Sequence, residues 1–116
     1  MTWAVARNVE TVRFIADHNT TTSANLERDP RATLQIIGKD NLLFLIKGNS
    51  KHVRDRVEAA SFAMIMMEMA VTEVKEQSWP IVEVSPLTYI WRGEKKEELL
   101  AMEQAVLKEL SEWEPN

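Results

Sequence analysis

Hydroxyl side chains are concentrated in one short stretch of the chain, the three consecutive threonines at positions 20–22. Residues 23–28 after them have the composition of a short helix, and Asp29-Pro30 ends it. Threonine hydroxyls and the free backbone N–H groups at the start of a helix can converge on a phosphate group. The stretch therefore predicts a binding site for the anionic end of a ligand.

One side chain beside this turn, His18, could also do acid–base chemistry. An unperturbed imidazole titrates near neutral pH, which makes His18 the candidate for proton delivery in the predicted site. A single histidine next to Asn19 and a run of threonines is also the ordinary composition of an exposed turn. The sequence leaves both interpretations open.

Two strands must hold this turn between them. The strand before it covers residues 12–17, whose alternating side chains predict one buried face. The inward set is Val12, Phe14 and Ala16, and the outward set is Arg13, Ile15 and Asp17. The strand after the turn begins near Ala32 and places Leu34 and Ile36 inward.

The chain opens inside a further strand, residues 3–6, and residues 7–10 turn it back into the 12–17 strand as a hairpin. A start in mid-strand predicts a barrel that lacks one strand. Either the barrel is a shortened version, or a preceding strand is left out of this chain.

A second hairpin surrounds the turn at residues 38–41. It pairs residues 32–37 with residues 42–47 in antiparallel fashion. Residues 48–50 then interrupt the second of these strands, which is typical of a bulge or bend.

Residues 57–74 fit two structures, because their apolar side chains also recur at helical spacing. The β-branched residues in their second half favour a strand. We predict a short helix over residues 55–60 and a strand over residues 62–76. The methionines of residues 64–69 have no His or Cys beside them and are interpreted as packing residues, with one face lining a barrel and the other meeting a partner subunit.

The end of the chain predicts one more strand and one long helix. The strand covers residues 81–91 and is broken by Ser85-Pro86. The helix covers residues 94–113 and is amphipathic. Its apolar stripe consists of Leu99, Met102, Val106, Leu110 and Trp113.

The composition narrows the classes of function. A chain of 116 residues is long enough for one domain with its own core. The net charge of −4 argues against a nucleic-acid surface, and the absence of cysteine excludes disulfides and cysteine-ligated zinc. No apolar run is long enough to span a bilayer, and the first residues do not show a charged region followed by an apolar one. We therefore expect a cytoplasmic protein without a metal site that binds neither nucleic acid nor membrane.

Taken together, these residues resemble the pyridoxamine 5'-phosphate oxidase-like family of FMN-binding split barrels. The pattern is Phe-x-Ala, then Thr-x-x-Asn-Leu-x-x-Asp-Pro-Arg-x-x-Leu. It is met here by Phe14, Ala16, Thr22, Asn25, Leu26, Asp29, Pro30, Arg31 and Leu34. The resemblance covers residues 2–92 and implies a mainly β fold: an antiparallel split β-barrel at residues 1–92, with a short helix after the second strand. Residues 93–116 would add an amphipathic helix packed on the barrel or the dimer seam.

In that family the turn before the short helix holds the phosphate of flavin mononucleotide (FMN), and the flavin ring lies between the subunits of a homodimer. The resemblance therefore implies a homodimeric FMN-binding protein, a flavin-dependent oxidoreductase of unknown substrate. The residues implied for cofactor binding are Ala16, Asp17, His18, Asn19, Thr20, Thr21, Thr22 and Asn25. Relatives of this fold also bind the deazaflavin F420 or heme, and nothing in this sequence selects either.

The chain departs from that family where charge is expected. Family members usually carry Arg or Lys in the phosphate turn, where this chain has threonine, so Arg13 and Arg31 are the cations available to a phosphate. Leu42-Leu43 replaces the Arg-Gln pair of the vitamin B6 oxidases, and their substrate-binding segment has no counterpart around residues 53–63. Pyridoxamine phosphate oxidation is therefore not expected.

A second hypothesis is a non-enzymatic, dimeric split-barrel protein that has lost tight flavin binding and has a structural, regulatory or other ligand-binding role. The hydroxyl-only phosphate turn favours it. Under both hypotheses a homodimer is expected, since four tryptophans and six methionines leave much apolar surface to cover.

Overall fold

The structure is a computed structural model, which describes residues 2–115. Met1 and Asn116, the terminal residues of the two predicted domain ranges, lie outside the described residues. In chain order the elements are β1 (Ala4–Ala6), β2 (Thr11–Asp17), α1 (Thr21–Arg28), β3 (Arg31–Gly38), β4 (Leu42–Arg54), β5 (Met64–Glu76) and α2 (Lys96–Glu112).

The five strands form one sheet in the order β1-β2-β5-β4-β3, and every neighbouring pair is antiparallel. The sheet curls into a half-barrel with β1 and β3 at its edges. This confirms the predicted mainly β, antiparallel fold, with a short helix after the second strand and a helix near the end of the chain.

Both predicted hairpins are present. β1 pairs with β2, and β3 pairs with β4 with Gly38 opposite Leu42. The register of β4 against β5 shifts between Lys47 and Gly48, where a bulge was predicted. A Cβ at Gly48 would lie 2.1 Å from the carbonyl oxygen of Ala70, so the close approach of these two strands requires glycine.

β2 is buried on both faces, which corrects the prediction of one buried face. Phe14 belongs to a core cluster with Met67 and Met69 on one side of the sheet. Ile15 belongs to a second cluster with Val106 and Leu110 of α2 on the other side. Because α2 packs across this second face, Arg13 and Ile15, which were predicted to face outward, are also removed from water, while Asp17 at the end of the strand is exposed.

The methionines of β5 divide between the same two clusters. Met67 and Met69 join the first cluster, and Met66 joins the second cluster beneath α2. Both faces of the methionine-bearing half of this strand are therefore covered by the chain itself, whereas residues 72–76 are exposed. The methionine face that was predicted to meet a partner subunit meets α2 instead.

Residues 55–60 form a turn, and the short helix predicted there is wrong. The carboxylate of Glu109 on α2 accepts the backbone N–H of Glu58 at 3.0 Å and that of the next residue at 2.8 Å. Val57 donates its N–H to β5 at 2.9 Å. These N–H groups are satisfied by distant elements, so they do not make the bonds of a helix.

Residues 81–91 stay irregular, and the last strand predicted there is wrong. Pro86 supplies no N–H to a strand ladder. The side chain of Asn41, in the β3–β4 turn, donates to the Trp79 carbonyl at 3.3 Å and accepts the Val84 N–H at 2.9 Å. These side-chain bonds take the place of strand pairing.

α2 matches the helix predicted over residues 94–113 to within two residues at its start and one at its end. Val106 and Leu110, from its predicted apolar stripe, are fully buried against the sheet. Neither helix in residues 2–115 is both long enough and apolar enough to cross a membrane.

Candidate functional site

The turn between β2 and α1 is built by a reciprocal cap. Asn19 has a φ of 59°, a left-handed conformation that asparagine tolerates, and it turns the chain out of β2. The Thr20 hydroxyl accepts the Ser23 N–H at 3.2 Å, and the Ser23 hydroxyl accepts the Thr20 N–H at 3.0 Å. This capping box starts α1 at Thr21, two residues before the predicted start.

The cap occupies one of the three hydroxyls that were predicted to hold a phosphate. Besides accepting from Ser23, the Thr20 hydroxyl donates to the Asp17 carbonyl oxygen at 3.0 Å. Thr21 and Thr22 are exposed and take no part in the cap. The first threonine therefore shapes the turn, and the next two are the ones left for a ligand.

A groove of about 740 Å³ opens beside this turn. Ligand sites are usually of about 300–1,000 Å³ and are lined mainly by apolar side chains, and this groove matches both features. Its lining combines the end of β2, α1, the start of β3, the first residues of the chain and the segments before β5 and α2. The lining residues are Thr2, Trp3, Phe14, Ile15, Ala16, Asp17, Thr20, Thr22, Asn25, Leu26, Ala32, Thr33, Leu34, Phe62, Met64, Tyr89, Ile90 and Trp91.

Three aromatic side chains of the lining contact one another edge to face. The ring centroids of Trp3 and Trp91 are 6.1 Å apart, as are those of Tyr89 and Trp91. The Trp3 indole N–H donates to the Tyr89 hydroxyl at 3.1 Å, and the Trp91 indole N–H donates to the Glu103 carboxylate of α2 at 2.8 Å. Hydrogen bonds therefore fix the orientation of this aromatic wall, formed by Trp3, Tyr89 and Trp91.

The structure brings five of the eight predicted cofactor-binding residues into the groove lining. These five are Ala16, Asp17, Thr20, Thr22 and Asn25. His18, Asn19 and Thr21 are not in the lining, and all three are exposed. The backbone N–H of His18 donates to the Ala63 carbonyl at 2.9 Å, which places this residue in the turn next to the groove.

Asp17 is the only charged residue in the lining formed by residues 2–115, and no Lys, Arg or His of these residues contributes to it. The two arginines predicted to serve a phosphate have other partners. Arg13 is buried and bonds to Glu68 at 3.0 Å and to the Leu110 carbonyl of α2 at 3.1 Å. The groove is therefore apolar with a polar, weakly acidic rim.

Arg31 is held by the carboxylate at the end of α1. Its Nε lies 3.0 Å from each oxygen of Asp29, and its backbone N–H donates to the same carboxylate at 3.1 Å. These hydrogen bonds lower the pKa of Asp29 from 3.8 to about 2. The Asp-Pro-Arg part of the sequence pattern thus joins α1 to β3, and Arg31 is outside the groove lining.

A smaller depression of about 490 Å³ adjoins the groove across α1. It shares Asn25 and Leu26 with the groove and also contains Arg28, Asp29 and Arg31. Arg28 is hydrogen-bonded to the side-chain oxygen of Asn25. Arg28 and Arg31 therefore lie in this depression and not in the groove lining.

Several lining residues were not predicted as site residues. Those that come from parts of the chain outside β2, α1 and β3 are Thr2, Trp3, Phe62, Met64, Tyr89, Ile90 and Trp91. Aromatic residues near both ends of the chain were the available signal, but no local pattern brings them together. Across residues 2–115 no group of three or more His, Asp or Glu side chains is arranged to hold a metal ion.

The groove suits the two ends of a flavin nucleotide unequally. The aromatic wall and the apolar floor fit a flat ring system, and the hydroxyls and the amide at the rim fit a hydroxylated chain. A phosphate would find hydroxyls and backbone N–H groups at the start of α1 but no cation in the lining of the described chain. The lining therefore offers aromatic and apolar surface to a flat ring system, and within residues 2–115 it offers no cation to a phosphate.

No protein-family model matches the chain, and no curated protein is significantly similar to it. The family resemblance therefore rests on the sequence pattern alone.

Proposed function

We propose that the chain is a flavin-binding protein whose groove holds the flat ring system, with FMN the form that the family resemblance implies. The observation that carries the proposal is that five residues chosen from the sequence pattern line one groove together with an aromatic wall. A bound flavin supplies hydride-transfer chemistry, and the protein binds and orients it.

Each part of the lining has a role in this proposal. The wall of Trp3, Tyr89 and Trp91 would contact the ring, because indole and phenol edges and faces pack well against flat aromatic systems. The backbone of Ala16, at the end of β2, would run past the ring edge. Thr22 would hydrogen-bond the chain that extends from the ring.

The fold-level proposal is that the curled sheet belongs to a split barrel that is completed as a homodimer. Apolar side chains in the irregular segment before α2 support it, since Ile81 is 87% exposed and Ile90 is 82% exposed. A second copy of the chain would cover them. Sedimentation of the protein as a monomer at micromolar concentration would contradict the dimer and leave the flavin site as a separate question.

A cytoplasmic location is part of the same proposal, as the sequence leads us to expect.

A second candidate function is flavin or small-ligand binding without catalysis. The position of His18 favours it, because this candidate proton donor is not in the groove lining. Among residues 2–115, Asp17 is then the only carboxylate in the lining. Stoichiometric binding with no reduction of the bound flavin by nicotinamide cofactors would distinguish this function from an oxidoreductase.

Titration of the purified protein with flavin tests the proposal, with quenching of flavin fluorescence as the readout. Trp91→Ala should weaken binding about 3- to 10-fold, as expected for the loss of one aromatic contact. Thr22→Ala and Asn25→Ala should each weaken it about 2- to 10-fold, the effect of one neutral hydrogen bond.

Thr72→Ala is the matched control. Its hydroxyl donates to the Lys47 carbonyl at 3.2 Å, and neither residue is in the groove lining. This variant should bind flavin as the unchanged protein does. Equal losses in Thr22→Ala and Thr72→Ala would mean that the ligand lies elsewhere, and absence of binding at millimolar flavin would end the proposal.

A further inference from the structure

We propose that the groove selects an uncharged flavin, with a free hydroxylated chain, over its phosphorylated form. This inference rests on the proposed function, because it concerns which flavin the same groove takes. Riboflavin and FMN carry the same ring and differ by one phosphate group, so they serve as the two probes.

The charge of the lining is the first argument. Among residues 2–115, Asp17 alone contributes a charge to the groove, and that charge is negative. Arg13 points to the other face of the sheet, where it bonds to Glu68 and to α2. A phosphate dianion in the groove would therefore meet repulsion from Asp17 without a compensating cation.

The hydrogen-bonding capacity of the rim is the second argument. An ionised carboxylate only accepts hydrogen bonds, so Asp17 can pair with the hydroxyl groups of a sugar-like chain but not with the oxygens of a phosphate dianion. The Thr20 hydroxyl, which was predicted to bind phosphate, already accepts the Ser23 N–H and donates to the backbone. The remaining hydroxyls of Thr22 and Thr33 can both donate and accept, which also matches a polyol.

The arginines of the neighbouring depression are the alternative phosphate site. Arg31 is bound to Asp29 through its side chain and its backbone N–H, and Arg28 is bound to Asn25. A phosphate would have to extend past Asn25, beyond the groove lining, to reach Arg28, and would have to displace Asp29 to pair with Arg31. The uncharged ligand needs neither step.

Equilibrium titrations with riboflavin and with FMN test the inference. Riboflavin should bind about tenfold more tightly, the effect of a unit charge facing a dianion across a hydrated site. The affinity for FMN should rise as sodium chloride is increased from 50 to 500 mM, because salt screens repulsion, whereas the affinity for riboflavin should stay constant.

Asp17→Asn should bring the affinity for FMN to within about twofold of that for riboflavin, because it removes about one decade of repulsion. Riboflavin should also lose some affinity in this variant, since its hydroxyl groups exchange a charged acceptor for a neutral amide oxygen, so the readout is the ratio of the two affinities. Asp40→Asn is the matched control, since it changes the net charge equally in the exposed β3–β4 turn outside the groove. It should leave the preference for riboflavin intact. An equal gain in the affinity for FMN in both variants would mean that the overall charge of the protein sets the preference, and it would overturn the role of the groove.

Equal or tighter binding of FMN would overturn the inference while the proposed function stands. An affinity for FMN that falls with salt, and that Arg28→Gln weakens further, would place the phosphate on the neighbouring depression and also overturn it. Failure of both flavins to bind at millimolar concentration would remove the proposed function and the inference together.

Discussion

Replacing Arg13 by methionine removes a buried cation that joins α2 to the sheet. The Arg13 side chain is 3% exposed and its Nε lies 3.0 Å from a carboxylate oxygen of Glu68. Its guanidinium also donates to the carbonyls of Leu110 at 3.1 Å and Trp113 at 2.5 Å, at the end of α2. α2 has no basic residue in its own last turn, so Arg13 supplies the positive charge that favours a helix C-terminus.

The structure sets the size of the effect. Removing one partner of a fully buried ion pair costs about 3–5 kcal/mol, because the other charge is left uncompensated. The Glu68 side chain is 23% exposed, so water offsets part of that cost. We expect Arg13→Met to lower the free energy of unfolding by about 3 kcal/mol and the melting temperature by roughly 10 °C.

Urea denaturation, followed by tryptophan fluorescence and by helical circular dichroism, measures this change. Arg54→Met is the matched control: both guanidinium groups lie over the Trp113 ring, at 5.4 Å for Arg13 and 5.3 Å for Arg54. Arg54 is 24% exposed and its ion pair with Glu109 spans 3.3 Å, so its loss should cost about 1 kcal/mol. Equal costs for the two variants would refute the argument that burial makes the Arg13 contacts stronger.

Two other perturbations test local contacts. NMR titration of Asp29 should give a midpoint near pH 2, and Arg31→Gln should raise that midpoint toward 3.8. The pKa of Asp29 is lower in the folded than in the unfolded chain, so its pair with Arg31 stabilises the fold fully above about pH 4. This contribution is lost as the pH falls through the folded pKa. Gly48→Ala should lower the free energy of unfolding by about 2 kcal/mol in urea, since the new Cβ would lie 2.1 Å from the Ala70 carbonyl oxygen. Gly38→Ala should cost less, because its Cβ meets only a flexible leucine side chain at 3.0 Å. A midpoint of 3.8 in the unchanged protein, or equal costs for the two glycine variants, would contradict these expectations.

The threonine turn shows how far local sequence determines a site. Alternation in residues 12–17 predicts β2, and the hydroxyl-rich stretch before a short helix predicts a turn that faces a groove. The sequence does not show which hydroxyls are free, since Thr20 can cap a helix or bind a ligand with the same group. In the structure the Thr20 hydroxyl caps α1, because it accepts the Ser23 N–H while the Ser23 hydroxyl accepts the Thr20 N–H.

Arg13 shows where sequence reasoning stops. Its place in an alternating strand predicts an exposed side chain that could serve a phosphate. The groups that accept its hydrogen bonds are the Glu68 carboxylate and two carbonyls at the end of α2, which are 55 to 100 residues later in the chain. Only the packing of α2 across the sheet brings these acceptors to it and buries both faces of β2.

The sequence by itself determined the elements whose signals are contained in neighbouring residues: the hairpins, the bulge at Gly48, α1 and α2. The tertiary structure decided the turn at residues 55–60, the irregular segment at residues 81–91 and the aromatic wall of the groove. The physical reason is the same in each case. Their hydrogen bonds and ring contacts are made with partners about 40 to 90 residues away in the sequence. The turn at residues 55–60 is bonded to Glu109, the segment at residues 81–91 is bonded to Asn41, and the wall pairs Trp3 with Trp91. No local periodicity in the sequence encodes such contacts.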